Sequence, residues 1–384
     1  MLQTSILIFY HCSSNTGYAI SRLETVFFEM ALRVTGNIDR IHLGYVSLDG
    51  GTPKYLPDNF NNVIKFDSAD SSKSSLNIIY EYIKDNNIGI AFGFDQPVHR
   101  PAYSVMRRAG IKLFVSYWGA PMCSINHGVK LLLKKLEVGL RKNKPDHFIF
   151  ESNAMADTAI LGRGVKRHSV TVINLGVDTE TFKPNHQDEN YAYEVFDIPR
   201  KRRIIFYSGH MEERKGVHVI VKAAIELIHV RKRNDVHFLF LGNMNGQEKR
   251  FTYMLPDAET EKYITFGGYR DDINRIHRSC YTGVIASTGW DSFTMSSLEM
   301  AASGLPLVVS NLQGLVETIE NGQTGRLIEP GDHVGLADMI ELLVNDPALQ
   351  AYMAIAARRR IIERFSREKQ IESLTAKVKG LFLQ

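Results

Sequence analysis

The stretch GWDSFTMSSLEMAASGLPLVVS, residues 289–310, contains a short helical pattern followed by the start of a buried strand. Within it, Thr294–Ser303 has the length and the Ala, Leu and Met content of a short helix, which a Gly-Leu-Pro tripeptide ends. The apolar runs Gly283–Ala286 and Leu305–Val309 flank this helix, and each is short enough for a buried strand. The order strand, loop, helix, strand predicts a parallel α/β unit. Its loop lies at the carboxyl edge of the sheet, where open α/β folds bind ligands.

Two acids in this segment call for an explanation. Asp291 precedes the helix, and Glu299 lies among apolar residues within it. A carboxylate in an otherwise apolar helix is costly unless it is hydrogen-bonded. We therefore expect either protein groups or a bound ligand to donate hydrogen bonds to Glu299.

The composition is that of a soluble, two-domain protein. The chain has 384 residues, more than one compact core usually holds, and its apolar (44%) and charged (23%) fractions are ordinary. A net charge of +4 over this length is too small to predict nucleic-acid binding. Three widely separated cysteines suit a reducing cytoplasm, and the N-terminus is typical of a first strand and not of a signal peptide. The sequence thus favours a cytoplasmic protein.

Strand-like apolar runs alternate with helical patterns from end to end. The first series is Ser5–Phe9, Ile41–Ser47, Ile88–Phe92, Lys112–Ser116, His147–Phe150 and Val170–Ile173. The second is Arg203–Tyr207, Val236–Leu241, Ile264–Phe266, Gly283–Ala286 and Leu305–Val309. This alternation predicts two doubly wound parallel sheets, and the polar stretch 183–190 is the predicted linker. We expect domains over residues 1–185 and 186–365, with a helical segment over 366–384.

Loops that contain glycine follow several of these strands. Gly17 precedes the first helix, where backbone amides can approach a phosphate. The loop Gly209–Gly216 places Arg214 and Lys215 beside a helix start, which costs stability unless an anion compensates the charge. Each loop also fits an ordinary turn or a solvated charged surface, so taken alone the loops leave both interpretations open.

Five short motifs follow one another between residues 173 and 325. They are Ile173–Asp178 with Phe182 and Pro184, the pair Lys215-Gly216, Phe266–Tyr269, Asp291 with Glu299, and Gly314–Glu317 with Asn321–Gly325. In this order they resemble the motifs of GT-B glycosyltransferases of the retaining, family-4 type (glycosyl transferases group 1). The resemblance implies an α/β fold of two Rossmann-like, doubly wound domains that face a central cleft. It also implies that the N-terminal domain binds the acceptor, the C-terminal domain binds a nucleotide sugar, and the last helix crosses back onto the N-terminal domain.

The resemblance assigns roles to individual residues. Glu299 is implied to accept hydrogen bonds from the two ribose hydroxyls, Asp291 to face the donor sugar, and Lys215 to contact the diphosphate. The implied donor-binding residues are Gly17, Gly209, His210, Arg214, Lys215, Asn243, Tyr269, Arg270, Asp291, Phe293, Thr294, Met295 and Glu299. The expected catalytic residues are Asp291, Lys215 and His99, and the expected acceptor-binding residues are Tyr18 and Trp118.

Three positions depart from the family pattern. His210 stands where an Arg usually follows the glycine, Trp118 stands where a His often precedes a glycine, and Asp291 replaces the usual Glu. An imidazole binds phosphate more weakly than a guanidinium, so Arg214 is expected to compensate. His99, near Trp118 in the sequence, is the alternative polar partner for a sugar hydroxyl, although a lone His is as often structural.

The resemblance implies a retaining, metal-independent hexosyltransferase that needs no cofactor. Its donor is expected to be a nucleoside-diphosphate sugar, most frequently UDP-linked among relatives, and its acceptor a glycan or lipid-linked sugar in cell-surface polysaccharide biosynthesis. Two alternatives stay open. One is a phosphorylase or epimerase of the same fold, and the other is a degenerate homologue that binds a nucleotide sugar or glycan without turnover.

Residues 129–144 form a basic and partly amphipathic helical pattern. Such a helix can lie on anionic lipid, which would place the protein at the inner face of the plasma membrane. The alternative is that its leucines pack on the sheet while its lysines are solvated.

Overall fold

The computed structural model describes residues 2–384, and the chain forms two compact units. Unit 1 contains the residues up to Asn174 together with Glu368–Gln384, and unit 2 contains Leu175–Arg367. The division falls upstream of the predicted boundary at 185. The reason is that Val177 donates a backbone hydrogen bond to Phe365 (2.9 Å) and accepts one from Arg367 (2.9 Å), which joins this segment to the end of unit 2.

The sheet of unit 1 has seven parallel strands in the order β3-β2-β1-β4-β5-β6-β7. The strands are β1 Ser5–Phe9, β2 Ile41–Tyr45, β3 Val63–Lys65, β4 Ile88–Phe94, β5 Leu113–Trp118, β6 His147–Phe150 and β7 Val170–Val172. The central strands are buried on both faces, which is why their sequences are continuous apolar runs. The strand order reverses once, between β1 and β4.

Helices connect these strands on both faces of the sheet. They are α1 Tyr18–Thr35, α2 Lys73–Asp85, α3 Ala102–Ala109, α4 Gly128–Leu140 and α5 Asn153–Asp157. Gly36 ends α1 in the left-handed conformation (φ +70°) that favours glycine, and its amide donates to the Leu32 carbonyl. The Ser72 side chain accepts the amide hydrogen of Ser75 and caps α2.

The sheet of unit 2 has six parallel strands in the order β10-β9-β8-β11-β12-β13. The strands are β8 Arg203–Ser208, β9 Val236–Leu241, β10 Ile264–Phe266, β11 Cys280–Ile285, β12 Leu307–Ser310 and β13 Gly325–Ile328. The helices are α6 Tyr191–Val195, α7 Val217–Ile225, α8 Lys249–Thr252, α9 Ala258–Glu261, α10 Ile273–His277, α11 Met295–Ala302, α12 His333–Asn345 and α13 Pro347–Arg364. Here the strand order reverses between β8 and β11. Both predicted doubly wound sheets are thus confirmed.

The last helix, α14 (Arg367–Leu383), packs within unit 1. Its inner face buries Ile371, Leu374 and Val378, all fully inaccessible to solvent. At its start, the Gln370 side-chain amide donates to the Tyr117 hydroxyl (3.2 Å). The chain therefore returns to complete the first unit after finishing the second. Within residues 2–384, no helix has both the length and the apolar character needed to cross a bilayer.

Candidate active site

The candidate site of unit 2 lies where the strand order reverses. The loop 209–216 follows β8, and the loop 286–294 follows β11, the neighbouring strand. Because the two strands are parallel, both loops leave the sheet at its carboxyl edge. A reversal of strand order opens a crevice at that edge, which is where open α/β sheets bind ligands.

The two loops are held against each other by the backbone. The amides of Thr288 and Gly289 both donate to the Arg214 carbonyl (2.8 and 3.2 Å). Gly216 has φ +66°, and a Cβ at this position would lie 1.7 Å from the Ala286 carbonyl oxygen. Only glycine allows the loop to lie this close to the end of β11.

An ion pair joins the side chains of the two loops. The Lys215 ammonium nitrogen lies 3.0 Å from Oδ1 and 2.9 Å from Oδ2 of Asp291. The Ser287 hydroxyl donates to Oδ2 (2.6 Å) and the Ser292 amide donates to Oδ1 (3.1 Å). The Asp291 side chain is 4% exposed and that of Lys215 is 17% exposed, so the pair is largely removed from water.

These contacts fill the hydrogen-bonding capacity of Asp291. A carboxylate has about four acceptor positions, and Lys215, Ser287 and Ser292 together occupy them. A sugar hydroxyl can reach Asp291 only after one of these donors turns away. In this state Asp291 orients Lys215, which differs from the sugar contact that the sequence predicts.

Arg214 and His210 differ in how firmly the protein holds them. The Arg214 guanidinium contacts Glu212 (2.7 Å), donates to the Trp290 carbonyl (3.2 Å), and lies 4.1 Å from the centre of a Trp290 ring. The His210 side chain is 81% exposed, with Nδ1 3.7 Å from a Glu212 oxygen. Arg214 is therefore the better-fixed cation of this loop.

The ends of β9 and β10 meet beside the same edge. The Asn243 side-chain oxygen accepts from the Gly268 amide (2.8 Å), and its nitrogen donates to Glu248 (3.1 Å), so Asn243 connects the two loops. Tyr269 is 69% exposed. Arg270 donates its Nε hydrogen to Asp272 (2.8 Å), and this pairing holds the pKa of the Asp272 carboxyl below its usual value.

The start of α11 contributes backbone amides. Phe293 is buried and anchors the turn by packing its ring on Phe365, with ring centres 5.1 Å apart. The Thr294 hydroxyl donates to Ser297 (2.9 Å), and Met295 is the first residue of the helix. One turn further along, Glu299 is 3% exposed.

The predicted residues of unit 1 lie in different environments. Gly17 precedes α1 with φ +67°, Tyr18 begins that helix under the Arg22 guanidinium (4.9 Å), and His99 is on an exposed loop. Trp118 is only 8% exposed and stacks on Phe150 (6.2 Å) within an apolar cluster. The aromatic face that the sequence predicts for an acceptor sugar is thus turned into the core, because both faces of β5 are covered and all six of its residues are buried.

The structure brings Arg214, Lys215 and Asp291 together and adds residues that the sequence reasoning does not select. Ser287 lies two residues after the end of β11, a position that the strand pattern could have indicated. Gln313 accepts from the Asp291 amide (3.1 Å) through its side-chain oxygen, and nothing in its local sequence indicates this contact. Within the described residues, no group of three or more His, Cys, Asp or Glu side chains is placed to hold a metal ion.

Comparison with known proteins finds a match in the second unit. The sequence model of the family described as Glycosyl transferases group 1 matches residues 192–360. Over these residues the chain is similar to group 1 glycosyl transferases. Glycogen synthase of Mycobacterium tuberculosis is 30% identical over 231 residues, which cover 57% of this chain and 50% of the synthase. The chain thus spans about half the length of this curated relative.

Solved structures extend the similarity in fold to the whole chain. A glycosyltransferase from Rickettsia africae superimposes with a TM-score of 0.82 at 20% identity, covering 100% of both chains. Anabaena HepE in complex with UDP superimposes with a TM-score of 0.76 at 18% identity, covering 98% of this chain and 100% of that one. The fold of this chain is therefore the GT-B fold of these glycosyltransferases.

Replacing Gly216 with Ala tests whether the close contact between the loops 209–216 and 286–294 stabilises the protein. We expect Gly216→Ala to lower the free energy of unfolding by ~1–3 kcal/mol more than Gly246→Ala, measured by urea denaturation followed by circular dichroism. Both glycines have positive φ (+66° and +87°), so the backbone cost is shared. At Gly246, however, a Cβ would meet no described heavy atom within 4 Å. Equal losses would mean that the loop can leave β11 at no cost.

Proposed function

We propose that this chain is a retaining, metal-independent hexosyltransferase that takes its sugar from a nucleoside-diphosphate sugar. The observation that carries the proposal is the juxtaposition, at the switch point of a group 1 domain, of the Lys215–Asp291 pair and a helix that contains a buried acid, Glu299. These groups provide, in one place, cations for a diphosphate and a carboxylate for a diol.

Glu299 is proposed to accept hydrogen bonds from both ribose hydroxyls. The two oxygens of a carboxylate can take both protons of a cis-diol in charge-assisted bonds. The proposed nucleotide is uridine diphosphate, which is supported by the similarity in fold to Anabaena HepE in complex with UDP.

Lys215 and Arg214 are proposed to bind the diphosphate, together with the amides at the start of α11. The bond from the anomeric carbon to the leaving phosphate breaks while the acceptor hydroxyl oxygen forms a new bond to that carbon and gives its proton to the departing phosphate. Negative charge grows on that phosphate as it leaves, so fixed cations lower the barrier. When Lys215 turns toward the phosphate it gives up contacts with Asp291. The freed carboxylate oxygens can then accept from the sugar hydroxyls, so diphosphate binding and sugar binding are proposed to assist each other.

The remaining donor contacts are proposed for residues around the same edge. His210 is exposed next to Glu212 and can approach a phosphate when protonated. Gly209, Asn243, Tyr269 and Arg270 follow the neighbouring strands of unit 2. No resident cofactor is proposed, because the co-substrate supplies the activated sugar.

The acceptor is proposed to be a lipid-linked sugar of a cell-surface glycan, and α4 is the feature that supports it. Five apolar side chains of this helix are between 56% and 81% exposed: Val129, Leu132, Leu133, Leu136 and Leu140. Their spacing places them on one face of the helix. The alternative expected from the sequence, in which the leucines pack on the sheet, is therefore wrong for these four leucines.

Basic residues surround this exposed apolar face. Lys130, Lys135 and Lys142 are exposed on or just after α4, while Val138 is buried and anchors the helix to unit 1. An apolar face with basic neighbours suits the interface of an anionic bilayer. We propose that α4 lies on the inner face of the plasma membrane and brings unit 1 to its acceptor.

A thermal-shift panel of UDP, GDP, ADP and their common sugar conjugates tests the donor assignment. We expect one nucleotide to stabilise the wild type by about 2.7 kcal/mol at 100 times its dissociation constant. Glu299→Ala should lose that shift, which is the difference between the melting temperatures of the variant with and without ligand. Glu261→Ala, which removes an exposed acid on α9, should keep it. A full shift in Glu299→Ala would remove the ribose role from Glu299.

A vesicle sedimentation assay tests the membrane contact. We expect the wild type to bind vesicles that contain phosphatidylglycerol and not vesicles of phosphatidylcholine alone. The double variant Leu133→Asp/Leu136→Asp should reduce binding at least about tenfold, since it removes apolar area and adds repelling charge. Ile78→Asp changes an equally exposed (59%) apolar residue on α2 and should bind as the wild type does. Binding that survives the double variant would reject α4 as the contact.

A further inference from the structure

A second pair of polar residues, His11 and Asp95, lies at the strand reversal of unit 1. His11 is the second residue after β1, and Asp95 directly follows β4, the neighbouring parallel strand in the sheet. His11 and Asp95 therefore leave the sheet at its carboxyl edge, on either side of the crevice that a reversal opens. The donor site proposed above makes no use of either residue.

The His11 imidazole has a defined orientation. Its ring stacks on the Phe94 ring with centres 5.4 Å apart. Nδ1 lies 3.4 Å from the Phe94 carbonyl oxygen and 3.9 Å from Oδ2 of Asp95. Both oxygens are acceptors, so they favour the tautomer that carries its proton on Nδ1. The lone pair is then on Nε2, which can accept a hydrogen bond, and the side chain is 45% exposed.

Hydrogen bonds to both the backbone and the side chain of Asp95 fix its position. It adopts the left-handed conformation (φ +51°), which is uncommon outside glycine. Its amide donates to the Tyr117 carbonyl (2.7 Å), and its Oδ1 accepts from the Gly119 amide (2.9 Å). These bonds turn Oδ2 toward His11. Burial raises the pKa of Asp95 to about 6.

We propose that His11, oriented by Asp95, binds the hydroxyl of the acceptor in unit 1. Nε2 accepts the hydrogen bond of an alcohol, and the Nδ1 hydrogen is held between the Phe94 carbonyl and the Asp95 carboxylate. This is the arrangement by which proteins present the free nitrogen of a neutral imidazole to a hydroxyl. His11 contacts the acceptor, and Asp95 is a positioning residue.

His11 adds an acceptor contact to those that the sequence predicts. Trp118, a predicted acceptor contact, is only 8% exposed, and His99, a predicted catalytic residue, is exposed in the loop that also contains Asp95. The inference rests on the proposed glycosyl transfer, because it names the residues that hold the acceptor of that reaction.

The test compares His11→Ala with His168→Ala. His168 is an exposed histidine of the same unit that precedes β7 and so lies at the opposite, amino edge of the sheet. The donor is the nucleotide sugar selected by the thermal-shift panel, and the probe acceptors are octyl β-D-glucoside, glycerol and water. The rate of nucleoside-diphosphate release is measured as a function of probe concentration, with the ligand-induced thermal shift as a second readout.

We expect His11→Ala to lower kcat/KM for transfer to the probe acceptor roughly tenfold or more, since a hydrogen bond to the acceptor is lost. Asp95→Asn keeps an acceptor for the Gly119 amide and should give a smaller fall. Added imidazole should restore part of the activity of His11→Ala, which a purely structural role would not predict. His168→Ala should match the wild type, and the thermal shift with nucleoside diphosphate should be unchanged in every variant.

Two negative results have different meanings. If the wild type turns over donor and His11→Ala does so at the same rate, the role of His11 is rejected while the transferase proposal stands. If the wild type releases no nucleoside diphosphate from any donor, the proposed transfer itself fails, and the role of His11 fails with it.

Discussion

The single reversal of strand order in each sheet determines where this chain can hold a ligand. At a reversal, the two neighbouring strands send their helices to opposite faces, so their carboxyl-end loops separate and leave a crevice. In unit 2 the reversal between β8 and β11 brings Lys215 and Asp291 into contact, although they are far apart in the chain. In unit 1 the reversal between β1 and β4 does the same for His11 and Asp95.

The Lys215–Asp291 pair shows how burying charges affects both the stability of such a site and its readiness to bind an anion. A largely buried ion pair contributes little net stability, because the cost of removing its charges from water offsets their attraction. The bonds from Ser287 and Ser292 compensate the carboxylate in the absence of a ligand. A lysine held in this way is oriented in advance and can exchange one anionic partner for another, which suits a residue that binds a phosphate group.

The sequence predicts secondary structure best where neighbouring residues in the chain determine it. Strands such as β1, β6 and β9 have the predicted bounds, since buried parallel strands are continuous apolar runs. The strand β3 was missed because its three residues, Val63–Lys65, lie at the edge of the sheet and are only partly buried. The motif order predicts a similarity to group 1 glycosyl transferases, which the family model also finds over residues 192–360, because the motifs follow the succession of loops along the chain.

Contacts between distant loops could not be predicted in the same way. His11 and Asp95 are 84 residues apart, and only the strand order of the folded sheet makes them neighbours. Trp118 stands where the family pattern often has a histidine, but packing on Phe150 within an apolar cluster buries its ring. The exposure of the α4 leucines also cannot be predicted from the spacing of apolar residues. That spacing is the same whether the apolar face of a helix packs on a protein core or lies on a membrane.

We propose above all that Glu299 accepts hydrogen bonds from the ribose hydroxyls of a nucleoside diphosphate at the strand reversal of unit 2. Isothermal titration of UDP and of 2′,3′-dideoxy-UDP, on the wild type and on Glu299→Ala, tests this directly. We expect the wild type to prefer UDP by about tenfold or more, because two charge-assisted bonds are lost in the dideoxy analogue. We expect the Glu299→Ala variant to bind both ligands equally. Equal affinities in the wild type, or a preference that survives in Glu299→Ala, would contradict the ribose role of Glu299.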